Sequence, residues 1–364
     1  MPRNEGGSED ATLGGGAPAA CALCGGDRLE PRGRIPAYVS GGEARVWECR
    51  ACRSQSARGA PAIPGLYDAI YRTRERLPGY HRYARYATLV RRGRRPLLAL
   101  ARCEDMYWAV REVVRTHPRR RQLQVVEVGS GLGYLTAALR AEGIASHGVD
   151  VSAVAVAEAT RVFGPWYAVT DLSRPASQLP VAPDLIVALE IVEHVEDPVA
   201  FLTRLAGWLA PQGQLVLSTP NRSVWPGRAV WQTDPPPVHA HWISEAGLAS
   251  AARRAGCDLH QVDFSRYTRW SRRTSPEDRP TAVRPPLLGE DLRPVAPTAE
   301  WRDRLLSSPA APWALSALRH LSGAVPAARG SSESLAATLT LARPHGAGVP
   351  AAILESSQRP GTGR

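Results

Sequence analysis

The 364-residue chain reads as an α/β protein built on a doubly wound, mostly parallel seven-stranded sheet, preceded by a small cysteine-bearing module and a helical segment. Three observations predict this. From Leu123 onward, short apolar runs alternate with amphipathic stretches of helix length, the pattern of a parallel sheet covered on both faces. The first run, Val125-Val126-Glu127-Val128, passes into Gly129-Ser130-Gly131-Leu132-Gly133 and then a helical stretch to Arg140. Ahead of this core stand two C-x2-C pairs, a pattern that suits a small metal-stapled module.

Composition limits the classes available. A hydrophobic content of 44% is that of a soluble globular protein, and the length allows a large core plus a small extra domain. No apolar run approaches the roughly 18–20 residues of a membrane helix. Residues 1–20 lack a signal-peptide core and are expected to be disordered, and the chain is expected to be cytoplasmic. Six cysteines in a reducing compartment favour metal or free thiols over disulfides. The net charge is +11, and all 45 basic residues are Arg. Codon bias accounts for part of that. Yet 15 Arg face 5 acids between Tyr67 and Gln122, which suits an acidic partner as well as a plain solvated helix face.

Taken in order, residues 21–60 form the cysteine module. Cys21-Ala22-Leu23-Cys24 and Cys49-Arg50-Ala51-Cys52 each present two thiolates from one turn, and 24 residues separate them. Together they suit a tetrahedral zinc site. Gly25-Gly26 helps the first turn close, and the intervening segment reads as a hairpin. The spacing is longer than usual, and Arg53 stands where such a turn often has Gly. Cys103 and Cys257 lie in apolar helical contexts and read as packing residues. Residues 61–120 are Arg- and Tyr-rich and read as two to four helices, with Pro78-Gly79, Gly93 and Pro96 as punctuation. Most of the tyrosines read as half-buried helix residues, with one or two facing a cofactor.

Residues 121–343 carry the core. Strands are expected at Leu123–Val128, Ala145–Val149, Trp166–Val169, Asp184–Leu189, Gln214–Ser218, Leu259–Phe264 and Leu335–Leu341. Helices are expected at Ala153–Val162, Pro198–Leu209 and Leu248–Ala255. The Pro- and Arg-rich stretch 266–334, with one helix at Ala314–His320, reads as a long insertion before the last strand, a substrate-side cap or a disordered loop. Residues 344–364 read as a disordered tail.

The chemistry concentrates at strand ends. Glycines at alternate positions let the backbone turn sharply beside a bulky ligand, and the following helix aims free N–H groups at it. A dinucleotide-binding turn has the same features. Asp150 closes the second strand about 20 residues later, where a carboxylate accepts from both ribose hydroxyls of an adenosine. Asp171-Leu172 ends the third strand. The fourth runs through Glu190-Ile191-Val192-Glu193-His194 into Asp197-Pro198.

These motifs resemble those of class I S-adenosylmethionine (SAM) methyltransferases. Glu127-x-Gly129-x-Gly131-x-Gly133 is similar to their first motif, the E-x-x-E-H run to their fourth, and Gln212-Gly213 through Asn221 to their P-x-G turn and fifth strand. The cysteine module, Tyr-rich helices and core, over residues 21–265, resemble a bacterial group of zinc-ribbon methyltransferases associated with sugar or natural-product tailoring. The resemblance implies a Rossmann-like methyltransferase fold. It implies that Glu127, Gly129, Gly131, Gly133, Asp150, Val151, Asp171, Leu172 and Glu190 hold SAM, and that Cys21, Cys24, Cys49 and Cys52 hold structural zinc.

An oxygen or carbon acceptor needs a base for its proton. The candidates are His194 with Glu193 after the fourth strand, and His239 and His241 in the loop before the helix that Ser244 caps. At i and i+2 in an extended segment, both of those histidines face the same side. His241 is favoured, although His194 equally suits a turn cap. The expected activity is methyl transfer to oxygen or carbon of a small molecule, one that is anionic or borne on an acidic carrier protein. Two other readings remain: an RNA methyltransferase gripping phosphates with the ribbon and Arg-rich helices, and a non-catalytic SAM-binding scaffold.

Overall fold

The computed structural model describes residues 16, 18–77, 80, 82–172, 179–224, 235–271, 286–295, 314, 317, 318, 321 and 334–342. The cysteine module contributes β1 (Leu29–Pro36), β2 (Glu43–Cys49) and β3 (Gln55–Arg58), an antiparallel meander in which Glu48 faces Gln55 and Leu29 faces Cys49. Four helices follow, the upper end of the expected number: α1 (Leu66–Thr73), α2 (Arg82–Arg92), α3 (Pro96–Cys103) and α4 (Asp105–Thr116).

The core then alternates as expected. It runs β4 (Gln124–Val128), α5 (Tyr134–Ala141), β5 (Ala145–Asp150), α6 (Ala153–Phe163), β6 (Tyr167–Val169), β7 (Leu185–Leu189), α7 (Pro198–Trp208) and β8 (Gln214–Pro220). After a two-residue strand, β9 (His241–Trp242), come α8 (Glu245–Arg254), β10 (Cys257–Gln261), α9 (Ser265–Ser271) and β11 (Ser334–Leu341). The seven-stranded sheet has the order β10-β11-β8-β7-β4-β5-β6. Six strands run in one direction, β4 to β8 pairing in parallel, and β11 inserts antiparallel between β8 and β10.

Alternation along each strand sorts the core into two faces. Val126, Val128, Ile186, Ala188, Leu215 and Leu217 pack under α7 and α8. Val125, Leu185, Val187 and Val216 pack under α2, α3, α4 and α5. Three helix starts follow from local chemistry: Ser152, Asp197 and Ser244 accept at Oγ or Oδ1 from Ala155, Ala200 and Gly247 N–H groups at 3.1, 3.0 and 2.9 Å.

Two expectations change. The strand placed at Leu259–Phe264 lies at Cys257–Gln261. Asp263 Oδ1 accepts from Ser265 N at 2.8 Å and turns the chain into α9, so the first residues of the supposed insertion are helical. The second change is β9, which belongs to neither the core sheet nor a simple loop. It is the fourth strand of the ribbon sheet, pairing Gln55 with Trp242 and Ser56 with His241. Of the stretch 266–334, residues 286–295 return to the ribbon, where Leu287 and Leu288 N–H groups donate to Tyr38 O at 2.9 and 3.1 Å. The helix expected at Ala314–His320 and the tail at 344–364 lie largely or wholly outside the described residues.

Candidate functional site

A cavity of about 1050 Å³ opens at the carboxyl ends of β4, β5, β6 and β7. The sheet order reverses at β4, with β5 on one side and β7 on the other. Ligands of open α/β sheets bind at such a switch point.

Glu127, Gly129, Gly131, Asp150, Val151, Asp171, Leu172 and Glu190 all line this cavity. The glycine turn is tight for physical reasons. Gly129 has φ +70°, and a Cβ there would collide with the Ile191 side chain; Gly131 has φ +49°, and a Cβ would meet the Tyr71 hydroxyl at 2.8 Å. Gly133, also left-handed at φ +81°, precedes α5 and is not among the residues lining the cavity. Asp150 binds the turn to the next strand: Oδ2 accepts from Gly131 N and Oδ1 from Ser152 N, both at 2.8 Å. Burial pushes the Asp150 carboxyl above its ordinary value, and these backbone bonds pull it part of the way back.

Glu127 accepts at Oε2 from Thr136 N at 2.8 Å and Thr136 Oγ1 at 2.6 Å. Burial nonetheless raises its pKa to about 7. Glu190 adopts φ +54° and accepts from Ser218 Oγ at 2.6 Å, which turns its carboxyl into the cavity. The acids on these strand ends make this wall suited to a cationic ligand.

The other wall comes from the helices ahead of the core. Tyr67, Tyr71, Tyr80, Tyr83 and Tyr107 of this segment line the cavity, more than the one or two expected, and Tyr134 of α5 joins them. Arg82 and Arg85 join them beside Glu104, at 3.8 and 4.0 Å from its Oε1. Sequence reasoning missed these residues. The i, i+4 pair Tyr67/Tyr71 and the i, i+3 pairs Arg82/Arg85 and Tyr80/Tyr83 were the available signal, but such spacing shows a shared face without showing what it meets.

The histidines separate. His194 and His239 line the cavity with ring centroids 4.7 Å apart, edge to face. His194 Nδ1 lies 2.6 Å from Val238 O and 3.3 Å from Tyr67 Oη. A carbonyl only accepts, so Nδ1 carries the proton and Nε2 is the ring's acceptor nitrogen. Glu193 is fully buried, with Oε1 3.8 Å from His194 Nε2. Burial, and secondarily His194, holds His239 well below the ordinary histidine value, so it is neutral. Glu193, His194 and His239 bring ligand atoms within 4.8 Å of one another, a set that could also hold a metal ion; sequence spacing offered no such third ligand. His241 is absent from the described cavity wall. The expectation that His239 and His241 face the same way fails because β9 pairs with β3 and draws His241 into the ribbon.

In the ribbon, Cys21 Sγ lies 3.7 Å from Cys52 Sγ, and Cys24 Sγ lies 3.5 Å from Cys49 Sγ. Four thiolates at about 2.3 Å from one zinc ion stand about 3.8 Å apart on a tetrahedron, so the donor set fits. A hydrogen bond from Cys52 pulls the Cys21 thiol down to about 5. Arg53 takes φ +64°, the conformation usually left to Gly, and its guanidinium pairs with buried Glu48 at 2.8 Å.

A family model described as a methyltransferase domain matches residues 96–262. The ubiquinone biosynthesis O-methyltransferase of Xylella fastidiosa strain 9a5c is 30% identical over 171 residues, 43% of this chain and 69% of that protein. That of Xanthomonas euvesicatoria pv. vesicatoria is 30% identical over 181 residues, 44% of this chain and 74% of that protein. The chain belongs to the class I SAM-dependent methyltransferases. Among solved structures, a SAM-dependent methyltransferase from Mesorhizobium loti is similar with a TM-score of 0.38 at 19% identity, covering 64% of this chain and 97% of that one. The seven-stranded sheet of this methyltransferase is the one expected from its sequence, and methylation of a small molecule is the activity its relatives support.

Proposed function

We propose that this methyltransferase transfers a methyl group to a hydroxyl oxygen of a small molecule of sugar or natural-product type, with His239 or His194 as the base. The observation that carries this reading is the pair of cavity-lining histidines on the acceptor side, one of them buried and neutral. The O-methyltransferase relatives favour oxygen over carbon. Bound SAM supplies an electrophilic methyl carbon and leaves as a neutral thioether. Asp150 would hold the ribose hydroxyls, Asp171 and Leu172 the adenine, and Glu127 and Glu190 the methionine end. The tyrosine-rich wall would exclude water and align the acceptor oxygen about 3 Å from the methyl carbon. As the new C–O bond forms, the hydroxyl proton passes to the neutral imidazole. Arg82 and Arg85 in the wall suit an acceptor bearing a negative group. In this reading Cys21, Cys24, Cys49 and Cys52 hold a structural zinc ion.

A small molecule is favoured over RNA. The ribbon aromatics Tyr38 and Trp47, which would have to stack bases, are buried. The test is transfer of labelled methyl from SAM to components of a metabolite extract. The expected result is a labelled small molecule bearing a new methyl ether, with the rate cut about 100-fold in His239→Ala at retained SAM affinity. Protein that binds SAM by calorimetry and labels nothing would overturn transfer and leave a binding scaffold.

A further inference from the structure

His241 belongs to the catalytic loop by sequence and to the ribbon by structure. It is 2% exposed, and both ring nitrogens are engaged. Nδ1 lies 2.8 Å from Ser56 Oγ on β3, and Nε2 lies 3.3 Å from the Glu196 carbonyl oxygen. Its backbone N–H donates to the Glu193 carbonyl at 3.0 Å. One residue thus grips both ends of the turn 193–196, the turn that carries His194. Two residues upstream of it stands His239.

We propose that His241 is a positioning residue that ties the ribbon sheet to the turn 193–196 and so sets where His194 and His239 stand. The catalytic relevance of that tie rests on the proposed role of those two histidines; the tie itself rests on geometry alone. The Glu196 carbonyl can only accept, so Nε2 carries the proton, and Nδ1 then accepts from the Ser56 hydroxyl. A single neutral tautomer satisfies both partners, and burial keeps the ring neutral by holding its pKa near 4. Neither shorter nor longer amides reproduce this. Asn at this position reaches Ser56 only, and Gln reaches Glu196 only.

The surroundings make the tie stiff. Ala57 N donates to Ala240 O at 2.9 Å, and Ala240 N to Glu193 O at 2.9 Å. Ser54 Oγ accepts from Ser244 N at 3.0 Å, and Ser244 Oγ donates to Cys52 O. Only Arg53 and Ser54 separate Cys52 from β3 along the chain, and β3 pairs directly with His241. The order of the ribbon therefore reaches the acceptor side of the cavity without passing through the cofactor wall.

Amide hydrogen exchange on the full-length protein with SAM present tests this without knowledge of the acceptor. Losing the buried ring bonds in His241→Ala is expected to raise exchange about 10–100-fold in residues 191–197 and 236–242, leaving residues 125–136 within about two-fold of wild type. His241→Gln, which keeps a donor to Glu196, is expected to restore most of the protection at 191–197. Ser56→Ala, a milder change, is expected to give a smaller rise in the same two segments. Unchanged exchange at 191–197 in His241→Ala, or an equal rise at 125–136, would overturn the proposal, as would failure of Gln to restore protection. If His194→Ala and His239→Ala each leave methyl transfer intact while His241→Ala still opens the turn, the base assignment falls and the tie stands.

Discussion

Asp150 and Glu127 show how single carboxylates serve both the turn and the pocket. Asp150 spends its two oxygens on Gly131 and Ser152 N–H groups while lining the cavity. Asp150→Ala is expected to weaken SAM binding about 10–100-fold by calorimetry, the loss of two bonds to a charged acceptor. Unchanged affinity would sink the cofactor assignment. Glu127 makes a pH prediction. Its folded-state pKa of about 7 lies above the ordinary 4.5, because burial penalises the ionised form. Stability from this group is complete below the ordinary value and is lost as pH rises through about 7. Urea unfolding without SAM should therefore show Glu127→Gln gaining about 3 kcal/mol on wild type between pH 4.5 and 8. Equal differences at both pH values would contradict it. These two acids were legible as ligand candidates because each ends a strand that periodicity alone locates. Tyr71, Arg82 and Arg85 were not, because a helical face shows no sign of which cavity it meets.

At the scale of elements, a helix cap ties α1 to the core. Ser152 caps α6 and also donates to Asp68 Oδ1 of α1 at 2.5 Å. Ser152→Ala is expected to cost about 1–2 kcal/mol and lower the melting temperature by a few degrees. Circular dichroism melting checks this, and an unchanged midpoint would show the cap to be dispensable. Ser244 and Asp197-Pro198 were readable as helix starts because capping is local. The end of β10 was misplaced because Val262 and Phe264 extend its apolar pattern, although Asp263 already turns the chain. β9 was invisible for a different reason. A two-residue strand has no periodicity of its own and exists only through its pairing with β3.

For the whole molecule, the ribbon and the core share an apolar interior: Cys21, Leu23, Cys49 and Cys52 pack in the same cluster as Leu248 and Ala251 of α8. Arg254 donates to the Ala22 and Leu23 carbonyls at 3.0 Å and fastens the first cysteine turn to that helix. Purified protein is expected to carry about one zinc equivalent, and chelation is expected to lower its melting temperature. Less than about half an equivalent would count against the site. The Arg-rich stretch divides. Arg74, Arg119 and Arg120 pair with Glu158, Asp184 and Glu142 of the core, whereas Arg91 and Arg92 in the last turn of α2 and Arg94 and Arg95 before α3 are exposed. None of the described helices is long and apolar enough to cross a membrane. The order of strands and helices, the glycine turn, the strand-end acids and the paired cysteines were all determined by the chain alone, because periodicity and short spacings are local. Which histidines meet the cavity, and which one joins the ribbon, was settled by folding. A side chain's facing in a short extended segment depends on the strand it pairs with, and for His241 that strand lies 185 residues away.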